Sequence, residues 1–216
     1  MDCDSLTLHT VVPFHLKDRD LQSSEVWYQK LHFERGHHYH ISAPSGSGKT
    51  TLARILYGLN TDYAGSYFIG ERHAKSLDIG EWSQLRQKEF AIIFQNLRLF
   101  NELSARQNIE IKNDLQRTCS EEKIEEMLQK LGTAHTAERE SRLLSEGEKQ
   151  RVAIVRALCQ PFSWLILDEP FSHLDEKTAQ TAARLIAKEA ADRNAGVISL
   201  QLGDDNFFPY SKKWKL

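Results

Sequence analysis

The residues whose types and spacing are best suited to chemistry lie at 43–51, APSGSGKTT. The pattern is that of a phosphate-binding loop, with Ala43 where the first glycine of the pattern stands. Gly46 and Gly48 allow main-chain N–H groups to turn inward around phosphate oxygens, with Pro44, Ser45 and Ser47 completing the loop. Lys49 supplies a point charge for the β- and γ-phosphates. Thr50 offers a hydroxyl to Mg²⁺, and Thr51 continues into TLARILYGL, which has helical apolar spacing. The start of that helix directs its partial positive charge at the anion. The chemistry implied is binding of a nucleoside triphosphate.

A second acidic element follows in WLILDE (164–169). A carboxylate at the C-terminal end of a buried parallel strand lies where ligands of open α/β sheets bind. Asp168 is expected to hold Mg²⁺ through oxygen ligation, and Glu169 to polarise a water aimed at the γ-phosphate.

Positioning these groups requires alternating strands and helices. SLTLHTVV, VWYQKLHF and HHYHIS read as strands, the last delivering the phosphate loop. GSYFIGERH reads as a strand or hairpin, LDIGEWSQLRQKEF as a short helix and AIIFQ (91–95) as a strand buried on both faces. Residues 96–144 are polar and helical; Ile124, Met127, Leu128 and Leu131 form one apolar stripe, with Gly132 placed to stop that helix. LLSEGEKQRVAIVRAL opens on a capping box, Ser145 with Glu148. EKTAQTAARLIAKEAADRN is a long helix, VISLQ (197–201) a strand and FFPYSKKWKL a closing edge. The alternation argues for a parallel sheet with helices on both faces.

Composition narrows the reading. With 28 Lys+Arg against 30 Asp+Glu in 216 residues, no strongly basic face is implied and nucleic acid is not the expected partner. Cys3, Cys119 and Cys159 have no metal spacing and read as reduced thiols. His38 and His40 share a strand face without a further ligand at a fitting spacing, so they read as strand residues. The N-terminus lacks a signal peptide's apolar core, and WLIL is too short to cross a bilayer.

Taken together, APSGSGKTT, Gln95, LSEGEKQR (144–151), LILDEP (165–170) and SHLD (172–175) occur in the order of an ATP-binding cassette, and the chain resembles the motor subunits of ABC transporters over nearly its whole length. IIFQNLRLFNELSARQNIE is similar to cassettes of lipoprotein-release, macrolide-export and FtsE-type systems. The resemblance implies an α/β P-loop NTPase (RecA-like) fold: a parallel sheet with helices on both faces, an N-terminal antiparallel β-subdomain and an inserted helical subdomain. It implies a single cassette over 1–216, with the β-subdomain and nucleotide-binding core in 1–95 and 150–216 and the helical subdomain in 96–149.

The same resemblance implies ATP and Mg²⁺, held between two subunits of a head-to-tail dimer with a second copy or a paralogous cassette. Ser145 and Gly147 would meet the γ-phosphate of the partner's ATP, and Gln95 would sense Mg²⁺ and the attacking water. Asp175 would contact the facing subunit, and Phe14 would stack on adenine, with Trp27 or Tyr28 as alternatives. Such a chain is expected in the cytoplasm, peripheral on the inner face of the membrane, where an integral permease docks beside Gln95 and residues 96–112.

The chain departs from the family at four places. Ala43 requires a negative φ. Glu146 replaces a signature glycine and brings a carboxylate toward the facing phosphate, at about 1 kcal/mol for like charges a few ångströms apart in water. Glu148 replaces the usual glutamine. The family's switch histidine is missing: Gln201 or Leu202 falls at its position, and no histidine follows His173. Slow hydrolysis is the expectation, with a rarely cycling regulatory clamp as the alternative function.

Overall fold

The computed structural model describes residues 3–21, 23–204 and 206–216. Its centre is a five-stranded sheet made of β3 (His38–Ser42), β6 (Phe90–Ile93), β7 (Trp164–Asp168), β8 (Gly196–Gln201) and β9 (Lys212–Lys215). The order is β6-β7-β8-β3-β9, and every neighbouring pair is parallel. A second, antiparallel sheet of four strands has the order β2-β1-β4-β5, from β1 (Ser5–Pro13), β2 (Lys30–Glu34), β4 (Tyr63–Ile69) and β5 (Arg72–His73).

The parallel strands show why they read as continuous apolar runs. Ile92, Ile166 and Ile198 face one core, shared with Leu52 and Ile55 of α1 (Lys49–Leu56), Trp82 of α2 (Ile79–Lys88) and the antiparallel sheet. Ile93, Leu165, Leu167 and Val197 face the other core. That one holds Ile109 of α3 (Ala105–Asn113), Leu128 of α4 (Glu121–Lys130), Val155 of α5 (Glu146–Leu158) and Ile186 of α6 (Glu176–Asp192). With both faces covered, neither can be polar. Each fully buried Leu or Ile contributes roughly 1.5–3 kcal/mol relative to exposure.

The expected stripe of α4 is buried and Gly132 follows the helix at φ 64°. The expected closing strand, β9, forms the edge of the parallel sheet beside β3.

One expected strand is shorter than its pattern. VWYQKLHF becomes a strand only from Lys30, because Tyr28 has a φ of 62° and Trp27 turns under the phosphate loop, where its Nε1 donates to Ser47 O at 3.2 Å. Trp27, 1% exposed, is therefore part of the loop's foundation and cannot stack on a base. His40 is fully buried, its Nε2 3.1 Å from Gly203 O, and among the described residues no three His, Cys, Asp or Glu side chains gather in a group that could hold a metal ion.

Candidate functional site

The phosphate loop connects β3 to α1, so the sheet fixes one end and the helix the other. Gly48 caps α1 in the left-handed region at φ 105°, and a Cβ there would come within 2.9 Å of Leu16 Cδ1 and 3.0 Å of Trp27. Both the backbone angle and the close approach require glycine. Ala43 lacks a positive φ, so its Cβ is accommodated.

The loop encloses a cavity of about 210 Å³ lined by Ser45, Gly46, Gly48, Lys49, Thr50, Thr51, Gln95 and Glu169, together with His15. That space suits a phosphate chain and is smaller than the several hundred cubic ångströms of a site for a whole drug-sized ligand. Pro44 and Ser47 do not line it. They hold the loop's shape, with Ser47 Oγ donating to Pro44 O at 2.7 Å.

Lys49 is buried, and its Nζ donates to Ala43 O and Pro44 O, both at 3.1 Å, with Glu169 Oε1 at 3.4 Å. The ammonium is thus held by loop carbonyls that a phosphate oxygen can replace. Thr50 Oγ1 donates to Gln95 Oε1 at 3.2 Å, joining the loop to the segment after β6.

Asp168 ends β7 at 1% exposure, and neither carboxylate oxygen has a hydrogen-bond partner. Burial pushes its carboxyl above the usual range; the Thr50 hydroxyl, Lys49 and the Gln95 main chain pull the other way without a well-formed hydrogen bond to either oxygen. A buried carboxylate without a partner is costly unless a cation joins it. The oxygen donors of Asp168, Thr50 and Gln95 fit Mg²⁺, a hard cation that prefers oxygen ligands.

Glu169 follows at φ 52°, a left-handed turn that brings its carboxylate to the cavity. Hydrogen bonds of its main chain hold this conformation. Glu169 N donates to Leu200 O at 2.9 Å, and Glu169 O accepts from Gln150 Nε2 at 3.0 Å and Ser172 Oγ at 3.2 Å.

Ser145 and Gly147 do not line this cavity of their own chain. Ser145 caps α5 through a full capping box: Ser145 N and Oγ both donate to Glu148 Oε2 at 2.8 Å, and Glu148 N donates to Ser145 Oγ at 3.3 Å. Those bonds hold the Glu148 carboxyl below the usual range. A Cβ on Gly147 would lie 3.0 Å from His173 O, so the start of α5 packs tightly against segment 172–174. Glu146 pairs with Lys149 at 2.7 Å and its side chain is 59% exposed. Asp175 caps α6, accepting from Thr178 N at 2.9 Å. Phe14 is 47% exposed beside the loop-lining His15 and does not itself line the phosphate cavity. At the switch position, Gln201 Nε2 donates to Ser199 Oγ at 3.0 Å, and Leu202 is exposed.

Sequence reasoning missed Gln150, His15 and Arg19, whose Nη1 donates to Gly46 O at 3.2 Å. For Gln150 a signal existed: it shares the i, i+3, i+4, i+7 spacing of buried Ala153, Ile154 and Ala157, and an amide on a buried stripe needs partners. For His15 and Arg19 the sequence carries none, since a turn brings them to the loop.

Comparison with known proteins agrees with this geometry. Residues 29–172 match the family model described as ABC transporter. The chain is 36% identical over 172 residues, 76% of its length and 75% of the relative's, to the lipoprotein-releasing system ATP-binding protein LolD 1 of Rhodopirellula baltica. It is 35% identical over 171 residues to the macrolide export ATP-binding/permease protein MacB of Rhodopseudomonas palustris, covering 78% of this chain and 26% of that longer protein. The bacterial ABC transporter cassette MJ0796, solved as a dimer, shares the fold with a TM-score of 0.76 at 24% identity, over 91% of this chain and 88% of its own. Among the described residues no helix is long and apolar enough to cross a membrane. The chain belongs to the ABC transporter family, as an ATP-binding cassette.

Proposed function

We propose that the chain is the nucleotide-driven subunit of a membrane transporter that exports or extracts a lipid-like or lipoprotein cargo. Relatives named for lipoprotein release and macrolide export support that direction. The core is 1–95 with 150–216, and 96–149 is a helical subdomain that meets the permease beneath the membrane. Lys49 leaves the carbonyls of Ala43 and Pro44 to bind the phosphate chain, while the start of α1 faces the same oxygens. Asp168, Thr50 and Gln95 would hold Mg²⁺, which would supply charge neutralisation to the phosphate chain when bound. Glu169 orients and polarises the attacking water. Phe14 is the adenine contact.

The single observation that carries the reading is the buried, unpartnered Asp168 carboxylate beside a phosphate-sized cavity containing Lys49, Thr50 and Glu169. Ser145 and Gly147 lie outside their own chain's cavity, which supports their serving a second copy across a head-to-tail dimer. Turnover is slow, because Gln201 is occupied by Ser199 and Glu146 adds a carboxylate near the facing phosphate.

The second reading, a nucleotide-gated clamp that rarely turns over, is favoured by that same Gln201 contact. Light scattering with Mg-ATP tests both. A dimer that forms with ATP and decays over minutes supports the slow motor, one that persists indefinitely in the wild type supports the clamp, and a monomer at saturating Mg-ATP overturns the dimer reading.

A further inference from the structure

Two of the three cysteines meet outside the nucleotide site. Cys119 directly precedes Ser120, the N-cap of α4, and Cys159 is the C-cap of α5. Both are buried free thiols. Cys119 Sγ accepts a hydrogen bond from the Cys159 thiol, and its own S–H donates to Leu158 O at 3.9 Å. Among the described residues they belong to no group of three side chains that could hold a metal ion. Cys3, just as buried, lies in the other core, where Trp164 Nε1 donates to its carbonyl oxygen at 2.7 Å.

A buried cysteine ordinarily packs as a small inert hydrophobe. This pair is held differently. Asn113, at the end of α3, grips the Cys119 main chain from both sides: its Nδ2 donates to Cys119 O and its Oδ1 accepts from Cys119 N, each at 2.9 Å. Arg193 Nη2 donates to the same Leu158 O at 3.1 Å, and Lys123 and Arg193 both meet the buried Glu189. The hydrogen bond from Cys159 holds the Cys119 thiol below its ordinary range against burial, with Lys123 and Arg193 assisting and Glu189 opposing. Donating that bond, together with burial, pushes the Cys159 thiol up. The two sulfurs are thus set apart in role: Cys119 as nucleophile, Cys159 as the thiol that keeps its proton.

We infer that Cys119 and Cys159 form a dithiol site that hydrogen peroxide converts to a disulfide, locking the start of α4 to the end of α5. A small peroxide suits a sulfur on a residue only 5% exposed, whereas a bulky organic disulfide does not. The Cys119 thiolate attacks one peroxide oxygen; the O–O bond breaks, hydroxide leaves and a sulfenic acid forms. The Cys159 sulfur then attacks the Cys119 sulfur. The S–S bond forms, the S–O bond breaks, and the departing hydroxide takes the Cys159 proton as water. Two thiols are oxidised by two electrons in all, and one peroxide is reduced to two waters. The new bond closes a ring from 119 to 159 that contains Ser145 and Gly147, and it constrains the unfolded chain more than the folded one.

The test exposes the reduced full chain to a small excess of hydrogen peroxide, blocks the remaining thiols with an alkylating agent and maps the products by mass spectrometry. Wild type, Cys3→Ser, Cys119→Ser and Cys159→Ser are compared. In the wild type and Cys3→Ser, the peptides carrying Cys119 and Cys159 should be joined with loss of two hydrogens, on the order of tenfold faster than any oxidation of Cys3. The oxidised wild type should melt several degrees above the reduced chain, and a thiol reductant should reverse the shift. Cys159→Ser should stop at a sulfenic acid that dimedone traps on Cys119, while Cys119→Ser leaves Cys159 unreacted over the same time. The wild type alone decides the matter if a variant fails to fold. Oxidation of its Cys119 to the sulfinic acid without a cross-link, oxidation of Cys3 at an equal rate, or a link between two chains overturns the inference. So does a link that forms only in urea, or an oxidised protein that melts below the reduced one.

Discussion

Gln150 and Glu169 are joined side chain to main chain: the Gln150 amide donates to Glu169 O at 3.0 Å while its carbonyl oxygen accepts from His173 N at 2.9 Å. One buried amide thus ties the capped helix α5 to the left-handed turn that brings the Glu169 carboxylate to the phosphate cavity. Gln150→Leu leaves both main-chain groups without these partners. It should destabilise the chain by about 1–3 kcal/mol and reduce ATP turnover more than ATP binding. Urea denaturation and nucleotide titration check the two effects separately.

Asp168→Asn tests the cation site. Burial raises the folded carboxyl above its ordinary 3.8, so the stability it contributes is full below that value and is lost as pH rises through the folded one. At neutral pH the ionised group therefore costs stability in the Mg²⁺-free protein. Asp168→Asn is expected to melt a few degrees higher without Mg²⁺, on the order of 1 kcal/mol, and to lose the extra stabilisation that Mg²⁺ adds to nucleotide. Differential scanning calorimetry with and without Mg²⁺ reads both.

Glu146→Gly removes the carboxylate at the start of α5. The isolated chain should lose about 0.3–1 kcal/mol of helix-dipole stabilisation and little else, since an exposed pair with Lys149 is worth at most about 1 kcal/mol. ATP-dependent dimerisation should strengthen, read as a lower protein concentration at the midpoint in sedimentation. Unchanged dimerisation would exclude this residue from the facing site.

Gly48→Ala forces a Cβ toward Leu16 and Trp27 at a φ of 105°. Strain of about 1–3 kcal/mol is expected at the loop itself, so nucleotide affinity should fall further than global stability. Isothermal titration with ATP and thermal melting make that comparison.

Much of this site was legible because it is local. APSGSGKTT, the acidic end of β7 and the Ser145–Glu148 box each encode their conformation within a few residues, and the apolar runs of β6, β7 and β8 announced a sheet covered on both faces. What escaped depends on distant packing. Trp27 lies in a stretch that reads as strand, yet its indole is needed beneath Ser47. Gln150 acts on a residue 19 positions later, and β9 returns to pair with β3 across most of the chain. Lys49's hold on Ala43 and Pro44 is likewise invisible in a motif that specifies only what it would bind.

The most direct measurement of the central claim is steady-state Mg-ATP hydrolysis by the purified wild type beside Glu169→Gln, with ATP binding measured on both. The expected result is tight binding by both proteins, wild-type turnover below about 1 per second, under the usual enzyme median near 10, and none by Glu169→Gln. Turnover that survives Glu169→Gln, or absence of ATP binding to the wild type, would contradict the assignment of this cavity as the hydrolytic site.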